Sequence, residues 1–347
     1  MPGFRAVLRG SAVAALLVVA PVVAACGGDD DDSGGAASSG GGKERVSIAH
    51  FVAVQANPVE KIIIDAADQV AKDEGADITT FDSNNDIQRE LNNCNDAIAS
   101  QKYDAFVLKA VSGPPIMPCA RQAVAAGIPV VVQGSPLGPE QTTKPQVKGI
   151  VGSVVTLFTT HGRTMAEITD MACKELKASP CKVLHLYGPL AFDGASVTRK
   201  AFLDRVKSDY PEIQIVGSAT QNYDPDTSST AMRQLLQKNR DVNVIANDCE
   251  PCVLAGTKVL KNLGLEGKVL QISGGGSKAG VKALGRGEMF ATAALLPASE
   301  ARAATEMAIK AARKEPIDKT EVAVVEDLSP VGLYVDKSNA DKFTPEW

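Results

Sequence analysis

Two cysteines separated by a glutamate and a proline, Cys249 and Cys252 in "CEPC", have the most reactive spacing in this chain. Between a strand and a helix, a C-x-x-C pair can exchange electrons with a substrate disulfide, because a helix start lowers a thiol pKa and the thiolate is the attacking species. Here Asp248 and Glu250 flank the pair, and their negative charge opposes a thiolate. The flanking acids favour a structural disulfide over redox catalysis, with a metal site or free thiols as the remaining readings.

A second stretch, "SGGGSKAG" (Ser273 to Gly280), follows one apolar run and precedes an amphipathic one, the place where backbone amides cradle phosphate. It lacks the G-x-G-x-x-G spacing and the acidic residue that dinucleotide sites place further on. Close backbone approach to a ligand, or a tight strand-to-helix turn, accounts for its glycines better. The three histidines, His50, His161 and His185, stand far apart and without ligand spacing to cysteines, so no metal is expected. No G-x-S-x-G elbow occurs, and nothing argues for hydrolysis.

These residues hang on a regular grammar. "RVSIAHF" reads as a strand, "PVEKIIIDAADQVAKDEG" as a helix with Pro at its start and Gly past its end, and "ADITTFDS" as a second strand. Short β-branched runs then alternate with amphipathic stretches through "VKGIVGS"; after "TLFTTHGRTMAEITDMACKELKA" the same alternation begins again at "CKVLHLYG". Repeated βα units build a parallel sheet with helices on both faces. Two consecutive doubly wound lobes, breaking near Ser153, each have an ordinary domain size. Open α/β sheets bind ligands at the carboxyl ends of their strands, so two facing lobes would share one cleft. His50 is read as ending the first strand and Lys109 as ending the third, in "VLKA", both able to face that cleft.

Composition sets the setting. Of 347 residues, 44% are hydrophobic, enough for two cores, and a net charge of −5 without a basic block excludes nucleic acid as a partner. Arg5 and Arg9 followed by "SAVAALLVVAPVVAA" form an export signal too short and Pro-interrupted to span a bilayer comfortably. Its end, "VAAC", resembles a bacterial lipoprotein signal, which implies cleavage after residue 25 and lipid on Cys26; an ordinary secretory signal is the alternative. Residues 26–43, "CGGDDDDSGGAASSGGGK", have almost no apolar side chain and read as a flexible tether spanning roughly 20–25 Å. Six cysteines remain, an even number for an oxidising compartment, and proximity pairs Cys94 with Cys119, Cys173 with Cys181, and Cys249 with Cys252.

The ordered series "ANP" (Ala56 to Pro58), "FDSNND", "YDAFVLKA", "AGIPVVVQG" and "VNVIANDC" resembles the type I periplasmic-type solute-binding proteins of the ribose- and galactose-binding group. The likeness covers about Val46 to Thr320. It implies two Rossmann-like lobes joined by three crossings, near Ser153, Pro297 and Glu321. The N-terminal lobe then takes 44–153 and 298–320, and the C-terminal lobe 154–297 and 321–347. It also implies that Asn57, Asn247 and Asp248 hydrogen-bond a ligand and that Tyr223 stacks on it. Where the family carries Phe residues after "ANP" this chain has Val59 and Glu60; its Asp-Arg pair falls on Gln133 and Gly134, its clasping Arg on Ser196 or Thr198, a later Asp on Gly274 and a Gln on Leu295. Fewer charges imply a ligand that is larger, less hydroxylated or held mainly by backbone groups.

The candidate ligand-binding residues are therefore His50, Gln55, Asn57, Lys109, Gln133, Ser196, Tyr223, Asn247, Asp248, Ser273 and Gly274. The expected protein is not an enzyme and needs no cofactor. It is a monomer, lipid-anchored on the extracytoplasmic face of the cell membrane, that captures a small sugar-like solute for an ABC permease. The competing readings are a ligand sensor feeding a signalling receptor and an exported thiol-disulfide oxidoreductase.

Overall fold

The computed structural model describes residues 45–347; the expected signal, Cys26 and the tether lie outside them. The chain alternates β1 (Ser47–Val52), α1 (Pro58–Glu74), β2 (Asp77–Asp82), α2 (Ile87–Ser100), β3 (Ala105–Leu108), α3 (Gly113–Ala125), β4 (Val130–Gly134) and β5 (Gly152–Val155). After α4 (Phe158–Glu175) it repeats as β6 (Cys181–Tyr187), α5 (Asp193–Asp209), β7 (Ile213–Thr220), α6 (Pro225–Lys238), β8 (Val244–Asn247), α7 (Glu250–Asn262), β9 (Leu270–Gly275), α8 (Lys278–Arg286) and β10 (Ala291–Ala294). It closes with α9 (Pro297–Ala312), β11 (Glu321–Ala323), α10 (Val324–Leu328) and β12 (Tyr334–Asp336).

Local chemistry fixes these elements. Asn57 Oδ1 accepts the Val59 amide at 2.8 Å and Pro58 occupies the first helical position, while Gly75 ends α1 at φ 66°, where a side chain would be strained. The two turns after the second strand of each lobe are copies of one another. In Ser83–Asp86 and Gln221–Asp224 the two central residues are left-handed, Asn84 and Asn85 at φ 49° and 57°, Asn222 and Tyr223 at 52° and 54°. Each turn ends on an aspartate that caps the next helix, Asp86 for α2 and Asp224 for α6.

The sheets have orders β11-β5-β4-β3-β1-β2 and β12-β10-β9-β8-β6-β7, parallel throughout except for β12 against β10. Each is a doubly wound sheet whose strand order reverses between its first and third strands, β1/β3 and β6/β8. The chain passes between sheets three times: β5 to α4, β10 to α9, and β11 through α10 to β12. Because β11 pairs with β5 (Glu321 opposite Ser153, Ala323 opposite Val155), both strands belong to the first sheet. This moves the first and third crossings a few residues past the expected 153 and 321, since ladder hydrogen bonds hold each strand to its last paired residue.

Past β12, the chain returns to the second crossing. Leu296 has no side-chain acceptor for the start of α9, and Glu346 supplies one, taking the amides of Ala298 (2.7 Å) and Ser299 (3.1 Å). The next residue, Trp347, accepts the Lys278 amide at the start of α8 (2.8 Å), so one short segment caps a helix on each sheet.

Apolar layers fill both faces of both sheets. Phe51 stacks on Phe81 (centroids 5.0 Å) and meets Phe106 edge-on (5.2 Å), beneath the buried Cys94–Cys119 disulfide that joins α2 to α3. The other bridges are Cys173–Cys181, between α4 and β6, and Cys249–Cys252. No helix among the described residues is long and apolar enough to cross a membrane. Phe51→Ala is expected to lower the unfolding free energy by about 3–5 kcal/mol, read from urea melts, because its fully buried ring leaves a cavity that three other aromatic rings cannot close.

Candidate functional site

Crossover topology places every strand end of the first sheet on one edge, and at its switch point a polar network replaces the apolar layer. β1 continues two residues past His50, so His50 does not end the strand: it lies inside it, without exposed surface. Its Nε2 is 3.1 Å from Gln133 Oε1 on β4, and Gln133 Nε2 donates to Glu300 Oε1 on α9 (3.3 Å). Thr156, at the first crossing, donates to the other oxygen of Glu300 (3.0 Å). Lys109, immediately after β3, donates to Glu60 in the first turn of α1.

Glu60 and Glu300 both sit in first helical turns, where backbone amides favour negative charge. Burial works against the Lys109 charge, but Glu60 and Glu300 together outweigh it and raise its pKa. Burial pushes Glu300 up to about 7, although Lys109, Gln133 and Thr156 pull the other way. Glu90, on α2, is likewise raised by burial to about 7 while accepting the Val111 amide (3.0 Å). Sparse charge was expected in this region; instead Lys109 is enclosed by three carboxylates.

At the equivalent switch point of the second sheet, Asp248 follows β8 as Lys109 follows β3. Gln221 Nε2 donates to Asp248 Oδ1 at 2.5 Å, and the Gly188 amide lies 3.4 Å from Oδ2. Gln221 also accepts the Tyr223 amide, which pins Tyr223 in its left-handed conformation. Burial lifts the Asp248 pKa to about 7. The Tyr223 ring lies over Gly188, where an added Cβ would meet its hydroxyl at 2.4 Å, and it runs nearly parallel to Phe192 (14°, centroids 6.5 Å).

The two edges meet. Ser112, at the start of α3, donates to Asp193 at the start of α5 (2.8 Å), and Ser196 bonds back to the Asp193 carbonyl (3.0 Å). Gln55 and Asn57 are exposed beside the first switch point. Three other candidates are enclosed. Asn247 is buried and donates to Ser228 on α6 (3.1 Å); Ser273 is buried within β9, which runs on to Gly275; Gly274 packs against His161, whose Nε2 would stand 2.6 Å from an added Cβ. They support the edge from beneath because β8 and β9 extend to or past them.

The glycine-rich loop is already filled. Glu250 Oε2 accepts the Gly276 amide (2.8 Å) and Oε1 the Ser277 amide (3.0 Å), so a carboxylate of the chain occupies the anion-binding amides. Gly280 is required by the same side chain, which would lie 2.2 Å from a Cβ there. The "CEPC" cysteines form a buried disulfide at the start of α7, with Cys252 wholly enclosed and Cys249 only 5% exposed. That leaves little sulfur for an incoming thiolate to reach. Burial holds all three histidines neutral, at about 4 for His50 and His161 and about 3 for His185.

Sequence reading missed Glu300, Gln221, Asp193 and Phe192, and noted Glu60 only as standing where the resembled family carries Phe. Only Glu60 left a signal, the Asn57-to-Glu60 spacing of a helix capping box. The others depend on which loops the fold brings together.

Residues 48–316 match the family model described as periplasmic binding protein domain. The ribose import binding protein RbsB of Bacillus subtilis (strain 168) is 23% identical over 278 residues, covering 80% of this chain and 85% of that protein. An ABC transporter solute-binding protein from Mycobacterium smegmatis, solved with bound glycerol, is 26% identical with a TM-score of 0.68, over 86% of this chain and 96% of that one. A periplasmic solute-binding protein from Actinobacillus succinogenes 130z, solved with bound D-allose, shares 21% identity and a TM-score of 0.70, over 86% and 100%.

The raised Glu300 pKa has a signed consequence. Glu300 holds its proton to about 7 when folded, against 4.5 ordinarily, so between those values the folded state binds more protons and stability falls as pH rises. Glu300→Gln cannot titrate, so its stability relative to the wild type should rise by on the order of 1–3 kcal/mol between about pH 5 and about pH 8 in urea unfolding. Parallel curves for the two proteins would mean that Glu300 is charged throughout.

Proposed function

The chain belongs to the periplasmic binding protein family, and we propose that it captures a small hydroxylated solute between its lobes and hands it to the permease of an ABC importer. The observation that carries this is the matched pair of half-sites. Lys109 with Glu60 and Asp248 with Gln221 stand at equivalent switch points of two sheets whose carboxyl edges touch through Ser112 and Asp193. Three crossings form a hinge, and hinge closure can bring such half-sites onto one ligand. Gln55, Asn57 and Lys109 line the cleft from one side and Ser196, Tyr223 and Asp248 from the other, while His50, Gln133, Asn247, Ser273 and Gly274 support them.

The D-allose and glycerol bound in the similar structures support a hydroxylated ligand. Lipid on Cys26, with residues 26–43 as a leash, would keep the lobes on the extracytoplasmic face beside the permease. Two or three acyl chains, at about 0.8 kcal/mol per buried methylene, suffice for stable anchoring.

D-ribose, D-allose, L-arabinose, myo-inositol and glycerol should be screened by thermal melts. A ligand at a hundred times its Kd adds about 2.7 kcal/mol of stability and a shift of a few degrees, and the reading would be rejected if neither this panel nor its amine-bearing counterparts shifted the melt. Cys26→Ser is expected to move the exported protein from the membrane to the soluble fraction, read by fractionation and immunoblot; unchanged membrane retention would remove the lipid anchor.

A further inference from the structure

The two switch points are equivalent in topology, but only the first holds a cation beside its carboxylates. Lys109 is balanced within its own lobe by Glu60. Asp248 is not: the helix that corresponds to α1 places Ala195 where α1 has Glu60, and the groups that reach the Asp248 carboxylate are the neutral Gln221 amide and the Gly188 backbone. No lysine or arginine occurs in the loops 188–192, 221–224, 248–249 and 276–277 that follow β6, β7, β8 and β9. The other carboxylates at these edges are engaged, Asp224 with the Thr227 amide, Asp193 with Ser112, and Glu250 with the glycine-rich loop.

Beside this unbalanced carboxylate stands an exposed aromatic surface. Tyr223 and Phe192 keep 44% and 39% of their surface in solvent, and their rings lie nearly parallel. A bulky residue at positive φ costs energy, and Gln221 holds Tyr223 there while also orienting Asp248, so one buried side chain sets both groups. A carboxylate removed from water next to aromatic faces is matched by a cation, which gains a charge-assisted hydrogen bond from one and quadrupole attraction from the other.

We infer that the solute is a hydroxylated compound carrying a protonated amine, whose nitrogen is bound by Asp248 against the Tyr223 and Phe192 rings. The inference rests on the capture function proposed above and specifies its substrate class.

Matched probes test the two separately. Titration calorimetry on the mature full-length protein near neutral pH would compare glucamine with sorbitol, glucosamine with glucose, and galactosamine with galactose. N-acetylglucosamine serves as the blocked amine. At least one amine is expected to bind about tenfold or more tightly than its neutral partner, the size of one charge-assisted hydrogen bond, and acetylation should abolish the advantage. Asp248→Asn, nearly isosteric and checked for an unchanged melting profile without probe, should erase the ratio. Neutral partners binding as well as the amines would overturn the amine while leaving solute capture intact. No binding by either series would overturn both. The wild-type comparison decides the matter even if the variant misfolds.

Discussion

Parallel strands can be joined only by crossovers that bring the chain back to the same starting edge, so all strand carboxyl ends, and the helix starts that follow them, collect on one side. That constraint organises this protein twice. It places Lys109 and Asp248 at matching points of two sheets, and it puts the amide-rich first turns of α1, α2, α7 and α9 where side chains must be buried.

The consequence is electrostatic. Glu60, Glu90, Glu250 and Glu300 are all buried acids in or near first helical turns, each taking donors from a neighbouring element: Lys109, the Val111 amide, the glycine-rich loop, and Gln133 with Thr156. Helix dipoles and orphan amides reduce the cost of burying these charges, and the contacts they make tie α1, α7 and α9 to the strand ends. Glu346 does the same from the end of the last segment, reaching the start of α9. The hinge region is thus held by acids on helix starts as well as by the three chain crossings.

The strand ends carry both buried residues and exposed ones. His50, Gln133, Asn247 and Ser273 have no exposed surface to speak of and set the strand ends. Tyr223, Asn57 and Gln55 remain open. Glu250 illustrates how a motif can mislead: the glycines that look suited to phosphate are small because a carboxylate of the same chain lies among them.

Much of the fold was legible because its signals are local. Alternating apolar runs, Pro58 and Gly75 around α1, and Asp86 and Asp224 before their helices are read within a few residues, and two repeats of one pattern imply two sheets. The switch points could not be read this way, since strand order is set by which strands pair, and pairing is long-range. Glu300 lies 167 residues from Gln133, and Gln221 lies 27 from Asp248, so no spacing rule joins them. Sequence by itself determined the βα architecture and supplied the acids. Tertiary structure decided which acids meet a cation, as Glu60 meets Lys109, and which meet only neutral donors, as Asp248 meets Gln221, because burial and partners are properties of packing rather than of residue order.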